Sequence, residues 1–93
     1  MIKVDFRSAE VLKGGRAVKL TARELQLLRY FVDHRNAALS RDELLREVWG
    51  YTAATYTRTV DVHIASLRQK IEDDPIRPSL ITTVSGIGYR FEG

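Results

Sequence analysis

The side chains best suited to chemistry lie on one side of a predicted helix between Thr57 and Asp73. At about 100° per residue, one face of this helix collects small apolar and hydrogen-bonding groups. They are Arg58, Val62, Ala65, Ser66 and Gln69, flanked by Thr59, His63 and Lys70. Arg, Gln and Ser can donate hydrogen bonds to base edges or phosphates, and a small apolar group can touch a thymine methyl. The helix alone leaves two interpretations open: a solvated face, or a surface that lies in the major groove of DNA.

The opposite side of the same helix is apolar. Val60, Ile64, Leu67 and Ile71 recur at the i, i+4, i+7, i+11 spacing, which is typical of a helix that packs on a core. The pattern therefore predicts that this stripe is buried and that the polar face points outward.

Two further helices are predicted to support this one. Thr21 to Glu24 reads as a capping box, and the helix that follows should turn Leu25, Leu28, Phe31 and Val32 inward, with Leu27 at the edge. His34, Arg35 and Asn36 are suited to its C-terminal end.

A second box from Ser40 to Glu43 opens a shorter helix that should bury Leu44, Leu45 and Val48 and end at Gly50. Residues 51–56 have no helical period, which predicts a loop. The loop is longer than the tight turn of the simplest helix-turn-helix proteins, so a variant of that motif is expected.

Short β-like segments stand at both ends of the chain. Gly14 and Gly15 lie between short apolar runs within residues 2–20, which predicts a hairpin in a small antiparallel sheet of about three strands. A second hairpin is predicted around Ser85 and Gly86. The Gly86-Ile87-Gly88 spacing does not indicate a phosphate-binding loop, because no helix follows it.

Length and composition narrow the class of protein. Ninety-three residues are enough for one domain with a modest core. With no cysteine and no metal-ligand spacing between His34 and His63, we expect neither a metal site nor a disulfide. No long apolar run or signal peptide is visible, so a soluble, cytoplasmic domain without a membrane partner is expected. The net charge of +3 (15 basic minus 12 acidic side chains) permits nucleic-acid binding without requiring it.

Catalysis is not expected. Asp61 and His63 are two residues apart on a helix and project in different directions, about 200° apart. Asp73 and Asp74 stand at a helix end beside Pro75, where a solvated stop explains them better than an acid/base pair. No enzyme activity and no cofactor are therefore predicted.

Taken together, the motifs resemble the C-terminal DNA-binding domain of response regulators of the OmpR/PhoB family. The matching stretches cover residues 20–25, 39–45, 48–50, 58–64, 67–75 and 83–91, in the family's order. The resemblance implies an α+β winged helix-turn-helix with an N-terminal antiparallel sheet, three helices and a C-terminal β-hairpin wing. It also implies that residues 1–93 form one effector domain, with a receiver domain upstream and absent from this chain. We expect the chain to be a fragment of such a regulator.

The resemblance also implies roles for individual residues. A recognition helix at 58–72 would enter the major groove and a wing at 83–89 would reach the minor groove. Implied phosphate contacts are Arg58, Thr59, His63, Arg68, Lys70 and the indole N–H of Trp49, for which a purely core role is an equal alternative. Implied base-reading positions are Val62, Ser66 and Gln69, and implied wing contacts are Thr83 and Ser85.

The implied partners are duplex DNA with repeated half-sites and an RNA polymerase subunit. The loop assigned to polymerase contains Tyr51, Thr52, Thr55 and Tyr56. Ala65-Ser66 stands where many members carry two arginines, and Ser85 replaces a frequent wing arginine. A shallow dependence of affinity on salt is therefore expected. The alternative function is a winged helix that contacts proteins and binds DNA weakly or not at all.

Overall fold

The computed structural model describes residues 2–50 and 57–93. In chain order the elements are β1 (Ile2–Asp5), β2 (Glu10–Lys13), β3 (Arg16–Ala17), α1 (Ala22–Asp33), β4 (Leu39–Ser40), α2 (Arg41–Leu44) with a π-helical continuation (Leu45–Trp49), α3 (Thr57–Ile71), β5 (Ile81–Val84) and β6 (Gly88–Phe91). One antiparallel sheet has the strand order β1-β2-β3 and the other the order β4-β6-β5. The predicted α+β winged-helix architecture is confirmed.

The N-terminal hairpin turns at the predicted glycine pair. Lys13 pairs with Arg16, and the two intervening residues, Gly14 and Gly15, have φ angles of 56° and 80°. Two successive positive φ angles are what a tight two-residue hairpin turn requires, and glycine adopts them at no steric cost.

The first capping box forms as predicted. The Thr21 hydroxyl accepts a hydrogen bond from the Glu24 N–H at 3.1 Å, and the Glu24 carboxylate accepts one from the Thr21 N–H at 2.8 Å. The inward face of α1 differs from the prediction, because Leu27 is fully buried while Leu25 and Val32 are only half-buried. The buried residues are Glu24, Leu27, Leu28 and Phe31, so the helix is rotated toward Leu27.

The second capping box is only half formed. The Ser40 hydroxyl accepts a hydrogen bond from the Glu43 N–H at 3.0 Å. The Glu43 carboxylate turns away and accepts a 2.6 Å hydrogen bond from the Tyr30 hydroxyl. Burial, followed by this hydrogen bond and the charge of Glu43, raises the pKa of Tyr30 to about 12. The Tyr30–Glu43 contact therefore ties α1 to α2.

Strand β4 was not predicted. Leu39 pairs with Tyr89 and Ser40 with Gly88, so the segment before α2 becomes the third strand of the wing sheet. A two-residue strand between two helices has no alternating pattern of its own, and it forms only because β6 lies beside it. This pairing fixes the wing against the start of α2.

The core lies beneath α3. The predicted stripe of Val60, Ile64, Leu67 and Ile71 is fully buried, with exposures of 0–2%. It packs in one cluster with Leu27, Leu28, Phe31, Leu39, Leu44, Leu45, Ile81, Tyr89 and Phe91. Val48 and Trp49 pack at the edge of this cluster. Since every helix and the wing contribute, the core holds α3 with one fixed face toward solvent.

Candidate nucleic-acid interface

The outward face of α3 is a narrow stripe. Arg58, Val62, Ala65 and Gln69 are exposed, and the Val62 side chain retains 59% of its exposure. The stripe is opposite the buried one, as the helical period predicts. It presents one cation, one amide and two small apolar groups along one side of a rigid helix.

Ser66 does not belong to this stripe. Its hydroxyl donates a 2.5 Å hydrogen bond to the Glu24 carboxylate, and the Lys70 ammonium donates one to the same carboxylate at 2.6 Å. Both side chains lie on the flank of α3 that faces α1. The prediction that Ser66 lies on the exposed face is therefore corrected, because its hydroxyl donates to a buried carboxylate on α1. Its contact with base edges stays a prediction.

Glu24 is the centre of this flank and is only 2% exposed. Burial alone raises the pKa of Glu24. Hydrogen bonds from Lys70, Ser66 and the Thr21 N–H, together with the charge of Lys70, outweigh burial and lower that pKa from 4.5 to about 2. The carboxylate is therefore charged at neutral pH and fixes α3 on α1.

The hydrogen bonds to Glu24 predict that the folded domain loses stability in acid. Because the folded-state pKa of Glu24 is depressed, its stabilising contribution is complete above pH 4.5 and is lost as the pH falls toward 2. The contribution should be on the order of 3 kcal/mol. Urea unfolding of the wild type and Glu24→Gln from pH 7 to pH 3 should show two stability curves that converge on acidification. Parallel curves would contradict the assignment.

Trp49 and His63 pack against each other beside Arg23. The two rings meet edge to face with 5.0 Å between centroids, and the Arg23 guanidinium lies 5.3 Å from the Trp49 ring centroid. The Arg23 guanidinium also donates to the Val48 carbonyl at 2.7 Å. The His63 Nδ1 lies 2.8 Å from the Thr59 carbonyl oxygen. Trp49, Thr59 and His63 are all half-buried. Thr59 and His63 each follow an exposed residue of the stripe along α3, and Trp49 contacts His63.

Arg68 joins α3 to the wing. Its guanidinium donates to the Ile81 carbonyl at 2.8 and 3.0 Å and to the Thr83 hydroxyl at 3.1 Å, and it lies 5.4 Å from the centroid of the Tyr89 ring. Arg68 and Thr83 were predicted as DNA contacts. In the structure both side chains take part in this connection between α3 and β5, and their contacts with DNA stay predictions.

A second connection lies on the same side of α3. The Tyr89 hydroxyl donates to the Asp61 carboxylate at 2.6 Å, and Arg41 at the start of α2 forms a 3.0 Å ion pair with that carboxylate. Burial, followed by the hydrogen bond and charge of Asp61, raises the pKa of Tyr89. Sequence reasoning missed Arg41 and Tyr89, because three residues from three elements meet here and no spacing along the chain reports such a contact.

The wing tip carries one exposed apolar side chain. Ser85, Gly86 and Ile87 connect β5 to β6, and the Ile87 N–H donates to the Val84 carbonyl at 3.0 Å. Ser85 is exposed, as predicted, and Ile87 is 54% exposed. Ile87 was not selected from the sequence, although an isoleucine in a hairpin turn is a signal that could have found it.

The loop that was predicted to contact RNA polymerase lies outside the described residues. Its four selected residues are Tyr51, Thr52, Thr55 and Tyr56. Within residues 2–50 and 57–93, no group of three or more His, Asp or Glu side chains is placed to hold a metal ion. In the same two ranges, no helix has the length and apolar character that a membrane span needs.

The chain matches known proteins over nearly its whole length. Residues 15–91 match the family model described as "Transcriptional regulatory protein, C terminal". The transcriptional regulatory protein YvrH of Bacillus subtilis is 51% identical over 85 residues, which cover 91% of this chain and 36% of YvrH. The chain spans 36–39% of the length of the curated relatives it matches.

Solved structures agree with the sequence match. The response regulator DrrB of Thermotoga maritima, an OmpR/PhoB homologue, superposes with a TM-score of 0.89 at 33% identity, over 99% of this chain and 42% of DrrB. The Klebsiella pneumoniae RstA DNA-binding domain, solved in complex with the RstA box, gives a TM-score of 0.89 at 33% identity, over 98% of this chain and 90% of that domain. The chain therefore belongs to the family of C-terminal domains of transcriptional regulatory proteins of the OmpR/PhoB type.

Proposed function

We propose that this chain is the DNA-binding effector domain of a two-component transcriptional regulator in the cytoplasm and that it binds duplex DNA sequence-specifically. The observation that carries the proposal is the exposed stripe of Arg58, Val62, Ala65 and Gln69 on α3. The other sides of this helix contact the core, α1, α2 and the wing. A helix of this diameter fits the major groove, where base pairs differ in their donors, acceptors and methyl groups. The DNA complex of the related RstA domain supports the same function.

The proposed roles of individual residues are of four kinds. We assign phosphate contacts to Arg58, Thr59 and His63, and base-edge contacts to Val62, Ala65 and Gln69. We assign minor-groove contacts to the exposed Ser85 and Ile87 at the wing tip. Ser66, Arg68, Lys70 and Thr83 act as positioning residues, because each is already hydrogen-bonded within the protein.

The remaining partners are proposed from the family resemblance alone. They are a receiver domain of the same protein and an RNA polymerase subunit that meets loop 51–56. Duplicated half-sites bound by two copies would supply the affinity that one small module lacks.

The test begins with selection of bound sequences from a random duplex pool, followed by titration of the enriched duplex at several salt concentrations. Arg58→Ala should weaken binding about tenfold, because it removes a charged hydrogen-bond donor, and should lower the salt slope by about 1. Arg77→Ala is the matched control, since it removes the same charge from an exposed residue beyond the end of α3. Failure of the pool to enrich any sequence would contradict the proposal.

A further inference from the structure

Asp61 is the only acidic residue of α3, all of which the structure describes. It lies beside the exposed stripe, because it comes three residues after Arg58 and directly before Val62. Side chains at i and i+3 on a helix are neighbours, with Cβ atoms about 5–6 Å apart. A charged carboxylate at this position opposes DNA binding in two ways. It repels the phosphates that α3 approaches, and it competes with them for the Arg58 guanidinium.

The Asp61 carboxylate has two partners on other elements. Its Oδ1 accepts a 2.6 Å hydrogen bond from the Tyr89 hydroxyl of β6 and forms a 3.0 Å ion pair with Nε of Arg41 at the start of α2. The side chains of Arg41 and Asp61 are 52% and 38% exposed. Water screens an ion pair that is this exposed, so the pair contributes little to folding. Its effect is to hold the carboxylate toward α2 and β6 and to compensate its charge.

Arg41 also lines a cleft between the start of α3 and the wing tip. The cleft is bounded by Thr57 on the helix and by Ile87 on the wing, and Ser40 and Asp42 line it as well. Among these described lining residues, Arg41 is the one cation. Under the proposed function, the phosphate backbone between the groove that holds α3 and the groove that meets the wing crosses this cleft. Loss of the Arg41 charge would therefore make the surface beneath the backbone acidic.

We propose, resting on the proposed DNA-binding function, that Arg41 is a positioning residue for DNA binding, because it compensates the charge of Asp61 and holds that carboxylate away from Arg58 and the phosphates. Without Arg41, the Asp61 carboxylate repels the backbone and pairs with Arg58. The rival role for Arg41 is a direct contact with a phosphate, which does not involve Asp61. The two roles differ in whether Arg41 is still needed once Asp61 has lost its charge.

The experiment is a double-mutant cycle on the duplex enriched from a random pool. Arg41→Ala should weaken binding about three- to tenfold, the range expected for one unit charge that water partly screens. Asp61→Asn removes the charge and keeps an oxygen that accepts the Tyr89 hydrogen bond, and alone it should not weaken binding. The double variant should return to within about twofold of the wild-type affinity. Its salt slope should equal that of the wild type, whereas loss of a phosphate contact would lower the slope by about 1.

The Arg29–Asp33 pair of α1 provides the matched control. Its side chains are 63% and 59% exposed and the pair is 3.9 Å long. Arg29→Ala removes the same charge from a surface that has no proposed role in DNA binding, and it should change affinity by less than about twofold. Thermal unfolding of all variants should match the wild type, because both pairs are exposed. Arg41→Gln, which keeps most of the length of the side chain, gives the same comparison if Arg41→Ala is unfolded at the titration temperature.

The outcomes separate this inference from the proposed function. If the wild type enriches and binds no duplex, the DNA-binding function fails and the inference fails with it. If the wild type binds specifically but the double variant stays as weak as Arg41→Ala, Arg41 contacts DNA directly, and the inference is overturned while the DNA-binding function stands. Wild-type affinity in Arg41→Ala also overturns it. Recovery of affinity in the folded double variant is the result that supports it.

Discussion

Replacing Gly88 with alanine should destabilise the domain by about 3 kcal/mol or more, which is among the larger effects of single substitutions. Gly88 opens β6 and pairs with Ser40 of β4. An added Cβ would collide with the Leu39 carbonyl oxygen and lie 3.0 Å from the Ser40 Cα. Both neighbours are backbone atoms, so relief requires separation of β4 from β6. The wing should then lose its attachment to the start of α2.

Gly86→Ala is the matched control for this prediction. Gly86 has a φ of 77°, and nothing lies within 4 Å of an added Cβ. Its cost should be limited to backbone strain of about 1 kcal/mol. Urea unfolding of both variants measures the difference. A Gly88→Ala variant within about 0.5 kcal/mol of the wild type would show that the strand contact is not as tight as described.

Glu72→Ala should be comparably damaging. Glu72 follows α3 and is only 2% exposed, and its carboxylate accepts hydrogen bonds from the N–H groups of Ser79, Leu80 and Ile81 at 2.8–3.1 Å. Removal of the carboxylate leaves these backbone donors without their acceptor, at about 1–3 kcal/mol for each group that stays buried. A total loss of about 3 kcal/mol or more in the free energy of unfolding is expected.

Two further variants serve as controls for Glu72→Ala. Asp73→Ala removes an adjacent carboxylate whose side chain is 90% exposed, and it should change stability by less than about 0.5 kcal/mol. Glu72→Gln keeps one acceptor oxygen and should fall between the two. Equal stabilities for Glu72→Ala and Asp73→Ala would contradict the role of Glu72 as the acceptor that holds β5 against α3.

Glu72 also has a consequence for DNA binding. Together with Arg68 it connects α3 to the start of β5, since both side chains hold the backbone of Ile81. Helix and wing must be held at a fixed separation to reach neighbouring grooves of one duplex. We therefore propose that the polar contacts around Ile81 fix the geometry and that the exposed stripe of α3 contacts the bases.

The parts of the fold that sequence reasoning predicted are those determined by local physics. The buried stripe from Val60 to Ile71, the first capping box and the Gly14-Gly15 turn each depend on residues a few positions apart. Helical period, cap hydrogen bonds and permitted φ angles act over that range. These elements were predicted correctly in kind, and the helix bounds were correct within two residues.

The parts that were missed depend on contacts between distant segments. Strand β4 exists because β6 lies beside it, and Ser66 is turned inward by Glu24, which is 42 residues away in sequence. The helical period places Ser66 near the edge of the exposed stripe. Its hydroxyl faces α1 because the buried Glu24 carboxylate accepts its hydrogen bond. A single sequence contains no signal for such a pairing.

The central claim is that the exposed stripe of α3 meets DNA, and amide chemical-shift mapping with the enriched duplex tests it most directly. Addition of the duplex should shift the amide signals of Arg58, Val62, Ala65 and Gln69 and those of the wing tip at 85–87. Signals of β1, Ile2–Asp5, should stay unchanged. Shifts confined to the N-terminal sheet, with α3 silent at saturating duplex, would contradict the account.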